Sequence, residues 1–218
     1  MRSTKSHLVT IAFGVAACLL FTGIGSAQTS ASSAAAKEYK RLVSLQKALS
    51  KIPMDKENKE PHRSFLKRND KDIVYSDPAG EWYVRSKRFW DLQKKYHTLP
   101  IADKIAWTAS ENSLPGECEG YVNCYIAVIR MTHGEYLKRY PKGAYTKRAL
   151  QQMIVSLSYI PTNTGSSERK NYDGPTDTPD RAELVNTIQE LRRIISKVSQ
   201  PEKAKALSLL KLIEDAFK

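Results

Sequence analysis

Apolar residues recur three or four positions apart along most of this chain, the spacing that places side chains on one face of an α-helix. The pattern starts at Lys37 and stops at Pro53, a residue that cannot continue a helix. Its apolar positions are Tyr39, Leu42, Val43, Leu49 and Ile52. We therefore predict a first helix over this stretch, preceded by a small, polar and flexible start at residues 28–36.

The segment 53–72 breaks the pattern because it is charged, contains two prolines and has few apolar residues. Such a composition predicts a linker or a surface loop, and it marks the best domain boundary in the chain. We accordingly expect a signal peptide at 1–27, an N-terminal helix with a charged linker at 28–72, and a helical domain at 73–218.

A second helix is predicted from Asp77, which can cap a helix N-terminus, to about His97. Within it Trp82, Phe89 and Tyr96 recur every seven residues and therefore share one stripe of the helix surface. An aromatic stripe can form a wall on which a ligand stacks, but it is more often the buried core of a helical bundle. We expect the stripe to be core.

The same reasoning predicts five more helices: one from Thr98, then about 121–140, about 144–160, one from Thr178, and about 200–217. Residues expected to be buried in them include Ile105, Ala106, Ala109, Val122, Ile129, Leu150, Met153, Leu157, Leu184, Ile188, Leu191, Ala204, Leu207 and Leu210. The stretch 73–76, IVYS, is the single candidate strand. We assign the chain to the all-α class, with about seven helices packed as antiparallel helical hairpins in an irregular bundle or a short solenoid-like array.

The N-terminus has the pattern of a secretory signal peptide. Positive residues precede an apolar run over 8–21, which is shorter than the roughly 20 residues that a membrane span requires. Small side chains place a cleavage site between Ala27 and Gln28. We therefore expect export to the periplasm or the cell exterior. Because VAAC at 15–18 resembles the lipobox of bacterial lipoproteins, lipid attachment at Cys18 is the alternative.

The positive charge of the chain is concentrated in two regions. The formal net charge is +12, and it falls to +10 when Arg2 and Lys5 are removed with the signal peptide. Residues 37–71 carry 11 Lys and Arg against 5 Asp and Glu, and residues 130–148 carry 6 against 1. Such regions can meet lipid headgroups, cell-wall polymer or nucleic acid, or can simply keep the protein in solution. With no nucleic-acid motif in the sequence, we expect no specific nucleic-acid partner.

Two cysteines, Cys118 and Cys124, lie in the stretch GECEGYVNCY. Their spacing fits neither a zinc site, which needs closer pairs and further ligands, nor the C-x-x-C motif of a redox pair. In an exported protein two remaining cysteines most often pair. Since residues six apart in a straight helix are too distant for a disulfide, a bend at Pro115, Gly116 and Gly120 is required. We predict a structural Cys118–Cys124 disulfide.

Motifs for enzyme chemistry are scarce. The sequence has no G-x-S-x-G, no H-E-x-x-H, no P-loop and no dinucleotide-binding fingerprint. Glu117 and Glu119 are the one candidate pair for acid–base work or cation binding, and His133 would have to be recruited as a further ligand. The loop 171–177, NYDGPTD, resembles a calcium loop but lacks its acidic spacing. We expect no catalytic site, no metal and no cofactor.

The stretch GEYLKRYPKGAYTKRAL at 134–150 resembles the helix–turn–helix junction of tetratricopeptide-like helical-hairpin proteins of the bacterial cell envelope. The residues that carry the resemblance are Tyr136, Leu137, Tyr140, Pro141, Gly143, Ala149 and Leu150. Proteins of that kind are α-solenoids that scaffold other proteins and are not themselves catalysts. The resemblance therefore implies a helical-hairpin unit with a binding role.

These features favour an exported helical interaction or scaffold protein of the cell envelope, whose partner is a protein or an anionic envelope component. The first alternative is a basic protein that binds polyanions by charge, so that added salt steeply weakens binding. The second is an enzyme of unrecognised type that uses Glu117 and Glu119. We expect no transmembrane span in the mature chain, and the oligomeric state stays open.

Overall fold

The computed structural model describes residues 22–114, 116, 118–162 and 168–217. The apolar run of the predicted signal peptide, Cys18, Pro115 and Glu117 lie outside these residues. The chain is mostly helical and contains one small two-stranded sheet. The all-α prediction is thus confirmed in outline, and the sheet is the departure from it.

The described elements are α-helices of 5 to 28 residues and one β-hairpin. The helices are α1 (Thr22–Leu49), α2 (His62–Arg68), α3 (Ser86–Lys95), α4 (Ile101–Glu111), α5 (Val122–Ile129), α6 (Glu135–Arg139), α7 (Thr146–Ser158), α8 (Thr178–Ser196) and α9 (Lys203–Phe217). The strands are β1 (Ile73–Ser76) and β2 (Glu81–Val84). Short 3₁₀ turns lie at Met54–Lys56 and Glu168–Asn171, and a π-helical turn, Arg130–Gly134, joins α5 to α6. None of the helices that can be described combines the length and the apolar character needed to cross a bilayer.

The hairpin replaces the start of a predicted helix. The sequence pattern predicts one helix over 77–97, but residues 81–84 form strand β2, which pairs antiparallel with β1, so the prediction is wrong there. The turn between the strands contains Gly80 at φ 63°, a conformation that favours glycine. The Met54 side chain occupies the space that a Cβ at this position would need. Once the turn forms, the aromatic and β-branched residues at 82–84 suit a strand.

The seven-residue aromatic stripe is consequently divided between elements. Trp82 lies on β2, Phe89 lies in α3, and Tyr96 follows α3. Their burial nevertheless agrees with the prediction, because Phe89 is 1% exposed and the other two rings pack against the same apolar cluster. Phe89 is therefore core, whereas Trp82 and Tyr96 are partly buried and also line surface grooves.

Helix α1 is longer than the sequence pattern predicts. It includes residues 28–36, which are predicted to be flexible, so that prediction is wrong. Alanine is the best helix former, and Ala35 is fully buried. The helix also passes through the predicted cleavage site between Ala27 and Gln28, and cleavage there would remove its first six residues, 22–27.

The charged segment 53–72 is ordered and takes part in packing. It contains a 3₁₀ turn and α2, and Leu66 of α2 joins the core at 8% exposure. At its end the carboxylate of Asp72 lies 2.8 Å from Arg41 of α1 and 2.6 Å from Arg88 of α3. The Arg88 contact is an ion pair without hydrogen-bond geometry. The segment is therefore fixed to two helices.

Two apolar clusters form the core, and α4 contributes to both. The N-terminal cluster joins α1, α2, the hairpin and α3 to Ile105 and Ala109 of α4. The C-terminal cluster joins α5 to α9 to Ala106 and Trp107 of α4. Since α1 and α2 precede residue 72 while β1 follows it, the N-terminal cluster spans the predicted domain boundary.

Burial in the C-terminal helices largely follows the predicted faces. Each of the following is at most 1% exposed: Leu150, Met153, Leu157, Leu184, Ile188 and Leu191. Together α5, the π-helical turn and α6 form one helix over 122–139, as predicted. The last helix differs, because turn residues precede Lys203 and Ala206 is buried in place of the exposed Ala204.

Candidate binding surface

Cys118 and Cys124 lie at the distance of a disulfide bond. Their Sγ atoms are 2.01 Å apart and their Cα atoms 5.5 Å apart. A tight turn precedes α5, in which the N–H of Tyr121 donates to the carbonyl of Cys118. Glu119 and Gly120 have φ angles of 47° and 85°, and two successive positive φ angles at the central residues are typical of a type I′ turn. This turn supplies the bend that the pairing requires.

We call residues 118–121 the cysteine turn, and this turn packs against the loop 171–177. The carbonyl of Gly120 accepts a hydrogen bond from the N–H of Asp173 at 2.9 Å, and the N–H of Val122 donates to the carbonyl of Asp173 at 3.0 Å. A Cβ on Gly120 would overlap the carbonyl oxygen of Asn171, so only glycine fits. The loop that resembles a calcium site is thus a packing partner of the cysteine turn.

The side chains of Tyr121, in the turn, and of Asn123, in the first turn of α5, also bind the start of α8. The Tyr121 hydroxyl donates to Asp180 Oδ2 at 2.8 Å, and Asn123 Nδ2 donates to the Asp180 carbonyl at 2.7 Å. The hydrogen bond to Asp180, followed by burial, raises the pKa of Tyr121 to about 12. Asp177 caps α8 by accepting the N–H of Asp180. These contacts give the region a structural role. The sequence alone does not indicate that it packs against the start of α8.

Among the described residues, the structure does not bring the candidate acid–base residues together into a site. Glu119 is exposed in the turn, and Glu117 lies outside the described residues. His133 pairs with Glu111, with 2.9 Å between Nε2 and Oε1. Among residues 22–114, 116, 118–162 and 168–217, no cluster of three or more His, Cys, Asp or Glu side chains could hold a metal ion.

Four of the seven residues that resemble a tetratricopeptide junction are fully buried, namely Tyr136, Leu137, Ala149 and Leu150. Tyr136 is fully buried, and its hydroxyl donates to Asp103 Oδ1 at 2.6 Å while accepting the N–H of Tyr145 at 3.0 Å. The second oxygen of Asp103 accepts the N–H of Ala144 at 2.7 Å. Burial first, and then the Asp103 carboxylate, raise the pKa of Tyr136. A Cβ on Gly143 would lie 2.6 Å from the Tyr136 hydroxyl, which explains the small residue there.

Four of the six cations in the basic region 130–148 pair with carboxylates. The pairs are Arg130–Glu190, Lys138–Glu190, Arg139–Glu135 and Lys147–Glu202, with N···O distances of 2.7, 3.3, 2.7 and 3.7 Å. The hydrogen bond from Arg130 is the main cause that lowers the pKa of Glu190 to about 2. Most of this region is therefore an internal ion-pair network.

The basic region 37–71 is different, because most of its cations have no acidic partner. Of its 11 Lys and Arg residues, Arg41 and Arg63 form ion pairs. The remaining nine are exposed and have no carboxylate within 4.0 Å in the part of the chain that the structure describes. They are Lys37, Lys40, Lys47, Lys51, Lys56, Lys59, Lys67, Arg68 and Lys71.

Several of these cations lie along the solvent side of α1. The buried residues Leu42, Leu45 and Leu49 turn one side of the helix to the core. At 100° per residue, Lys40 and Lys47 lie on the opposite side. We call the set Lys37, Lys40, Lys47, Lys51 and Arg68 the basic face.

Exposed apolar side chains accompany the cations of the basic face. Val43 is 39% exposed and lies one helical turn from both Lys40 and Lys47. Met54, in the 3₁₀ turn that follows α1, is 63% exposed. The surface around α1 therefore offers apolar as well as cationic contacts.

A groove lies between the end of α1 and α2, with a volume of about 270 Å³. We call it the α1–α2 groove. Its lining combines apolar residues with two exposed cations. The apolar lining residues are Ala48, Ile52, Pro61 and Phe65, the cations are Lys51 and Arg68, and His62 completes the lining. No acidic residue is among the described residues that line it, so the groove fits a ligand with an apolar part next to a negative charge.

A second groove lies beside α3 and has a mixed lining. Its residues include Glu38, Arg88, Asp91 and Lys95, so that opposite charges face each other across it. That arrangement does not select a ligand of either sign. The α1–α2 groove is therefore the better candidate.

Sequence reasoning finds the basic region 37–71 but does not find the groove within it. Phe65 and Ile52 are the only hints, since they are apolar residues near or within a charged segment. Their approach depends on how α2 folds back on α1.

Comparisons of the chain with protein-family models, with curated proteins and with solved structures gave no match.

Proposed function

We propose that this chain is an exported, non-catalytic interaction protein of the cell envelope that binds an anionic partner on its basic face. The observation that carries the proposal is the set of nine exposed cations without acidic partners in region 37–71. Uncompensated surface charge of one sign attracts and steers a partner of the opposite sign. The paired cations of region 130–148 offer no comparable field.

The location in the envelope rests on two further features. The N-terminal pattern of charge, apolar run and small residues before Gln28 is typical of exported proteins. The spacing of Cys118 and Cys124 fits a disulfide, which persists in oxidising compartments outside the cytoplasm.

Binding of long-chain polyphosphate, a soluble polyanion, tests the proposal. The protein is expressed from the full-length sequence and purified from the exported fraction, and its intact mass shows whether residues 1–27 have been removed. Replacing Lys40, Lys47 and Lys51 with Gln should weaken binding about tenfold, because each exposed ion pair contributes about 0.5 kcal/mol. Added salt should weaken binding of the unsubstituted protein much more steeply than binding of this variant.

A matched control removes the same charge elsewhere. Lys197, Lys205 and Lys211 are exposed on α8 and α9 or next to them, and no ion pair involves them among the described residues. Their triple Gln variant has the same net charge as the basic-face variant and should bind polyphosphate nearly as the unsubstituted protein does. Equal losses in the two variants would mean that only net charge matters, and the basic face would not be the binding surface.

A further inference from the structure

We infer that the anionic partner is the surface of a lipid bilayer, and that the protein lies on it with the basic face and the α1–α2 groove turned towards the headgroups. This inference rests on the proposed function and names the partner of the same surface. Three features of the surface carry it: the kind of cation, the exposed apolar side chains, and the lining of the groove.

The unpaired cations suit a diffuse field of charge. Eight of the nine are lysines, and the single arginine is Arg68. The lysine ammonium is a point charge on a flexible side chain, whereas the planar arginine guanidinium binds a single carboxylate or phosphate through two parallel hydrogen bonds. By contrast, Arg41 and Arg130 each hold a carboxylate of the fold, in the contacts with Asp72 and Glu190. A face with four lysines and one arginine matches a layer of anionic headgroups better than one defined acidic peptide.

The apolar side chains give the surface a reason to prefer a bilayer over a soluble polyanion. Val43, one helical turn from Lys40 and Lys47, is 39% exposed, and Met54, three residues after Lys51 in the chain, is 63% exposed. Side chains at the headgroup boundary contribute by burying apolar area among the acyl chains, while the cations meet the phosphates. A soluble polyanion offers no such apolar layer. The two apolar residues therefore distinguish the two kinds of partner.

The α1–α2 groove places the same two chemistries side by side. Ile52 and Phe65 in its lining are partly buried, and Lys51 and Arg68 are exposed. A lipid has an apolar chain next to an anionic phosphate, which matches partly buried apolar residues beside exposed cations. The groove can thus take part of one lipid while the surrounding lysines meet its neighbours.

Sedimentation with vesicles tests this inference, using phosphatidylcholine alone or mixed with phosphatidylglycerol. The protein should bind the mixed vesicles and not the neutral ones. In the triple variant with Gln at Lys40, Lys47 and Lys51, the affinity for mixed vesicles should fall about five-fold for each cation removed. The decisive variant is Val43→Gln with Met54→Gln, which leaves the charge unchanged. It should lose about tenfold in vesicle affinity because less apolar area is buried, and should bind polyphosphate as before.

A control variant removes apolar area of similar exposure on another surface. Val155 and Leu212 are each 48% exposed, and their double Gln variant should bind vesicles as the unsubstituted protein does. Binding to polyphosphate without binding to mixed vesicles would overturn the bilayer as partner and leave the proposed function standing. Equal losses in the two apolar variants would overturn the orientation. Failure to bind either polyphosphate or vesicles would overturn the proposed function itself.

Discussion

The hydroxyl of Tyr136 offers a sharp test of the packing in the segment 134–150. Replacing Tyr136 with Phe removes one oxygen atom and leaves the apolar ring in place. That oxygen donates to Asp103 at 2.6 Å and accepts the N–H of Tyr145 at 3.0 Å. The substitution therefore deletes a hydrogen bond to a carboxylate and leaves a backbone donor without its acceptor.

The expected cost follows from these two contacts. A hydrogen bond to a charged group contributes about 1.5–3 kcal/mol, and an unsatisfied donor adds about 1 kcal/mol. Asp103 is only partly buried and keeps the N–H of Ala144, so water replaces part of what is lost. We expect the free energy of unfolding to fall by about 2–3 kcal/mol, equivalent to a Tm lower by about 4–12 °C for a chain of this size.

Urea denaturation followed by circular dichroism measures this change. Tyr83→Phe is the matched control, because the Tyr83 hydroxyl donates to Glu81 at 3.2 Å on the exposed surface. That control should change stability by less than about 0.5 kcal/mol. If Tyr136→Phe is as stable as the control, the hydroxyl does not join α4 to the start of α7 and the reasoning from this geometry is refuted.

Three further predictions concern the cysteine turn and the ion-pair network. Gly120→Ala should cost at least about 1 kcal/mol in urea denaturation because of its φ of 85° and the overlap with the neighbouring loop, while Gly116→Ala, with open space around it, should be neutral. Replacing Cys118 and Cys124 with Ala should cost about 2 kcal/mol, and reduction should raise the mass of the unsubstituted protein by about 2 Da; no mass change would mean free thiols. The pKa of Glu190 is lowered to about 2, so the stability from its ionised form is present above the unfolded pKa and is lost as the pH falls from about 4.5 towards 2. Glu190→Gln should abolish this loss, about 1 kcal/mol after solvent screening, and a parallel acid-induced decrease in both proteins would contradict the assignment.

Amphipathic spacing predicts the C-terminal helices well because each of them buries one stripe. Leu150, Leu184 and Ile188 fall on the expected faces, since a helix that packs on one side shows its period in the sequence. The hairpin is different. Trp82 fits a helical stripe as well as a strand, and only the pairing of β2 with β1 decides between them. The tertiary contact outweighs the local pattern here.

The candidate surface shows the same limit for charge. The two basic regions look alike in the sequence, but Lys138 finds its partner Glu190 52 residues further on, whereas Lys40 and Lys47 find none among the described residues. Partners so distant in the chain come together only through the fold. The packing of Gly120 against the loop 171–177 also cannot be predicted from the sequence, because it depends on hydrogen bonds between backbone atoms, which every residue type can form.

The position of α4 between the two apolar clusters has a consequence for how the molecule unfolds. Neighbouring residues Ile105 and Ala106 face different clusters, and both are completely buried. If either apolar cluster loses its packing, one side of α4 becomes exposed to solvent. We therefore expect the two clusters to unfold in a single cooperative transition. The backbone amides of α4 should then be among the last in the chain to exchange with deuterium.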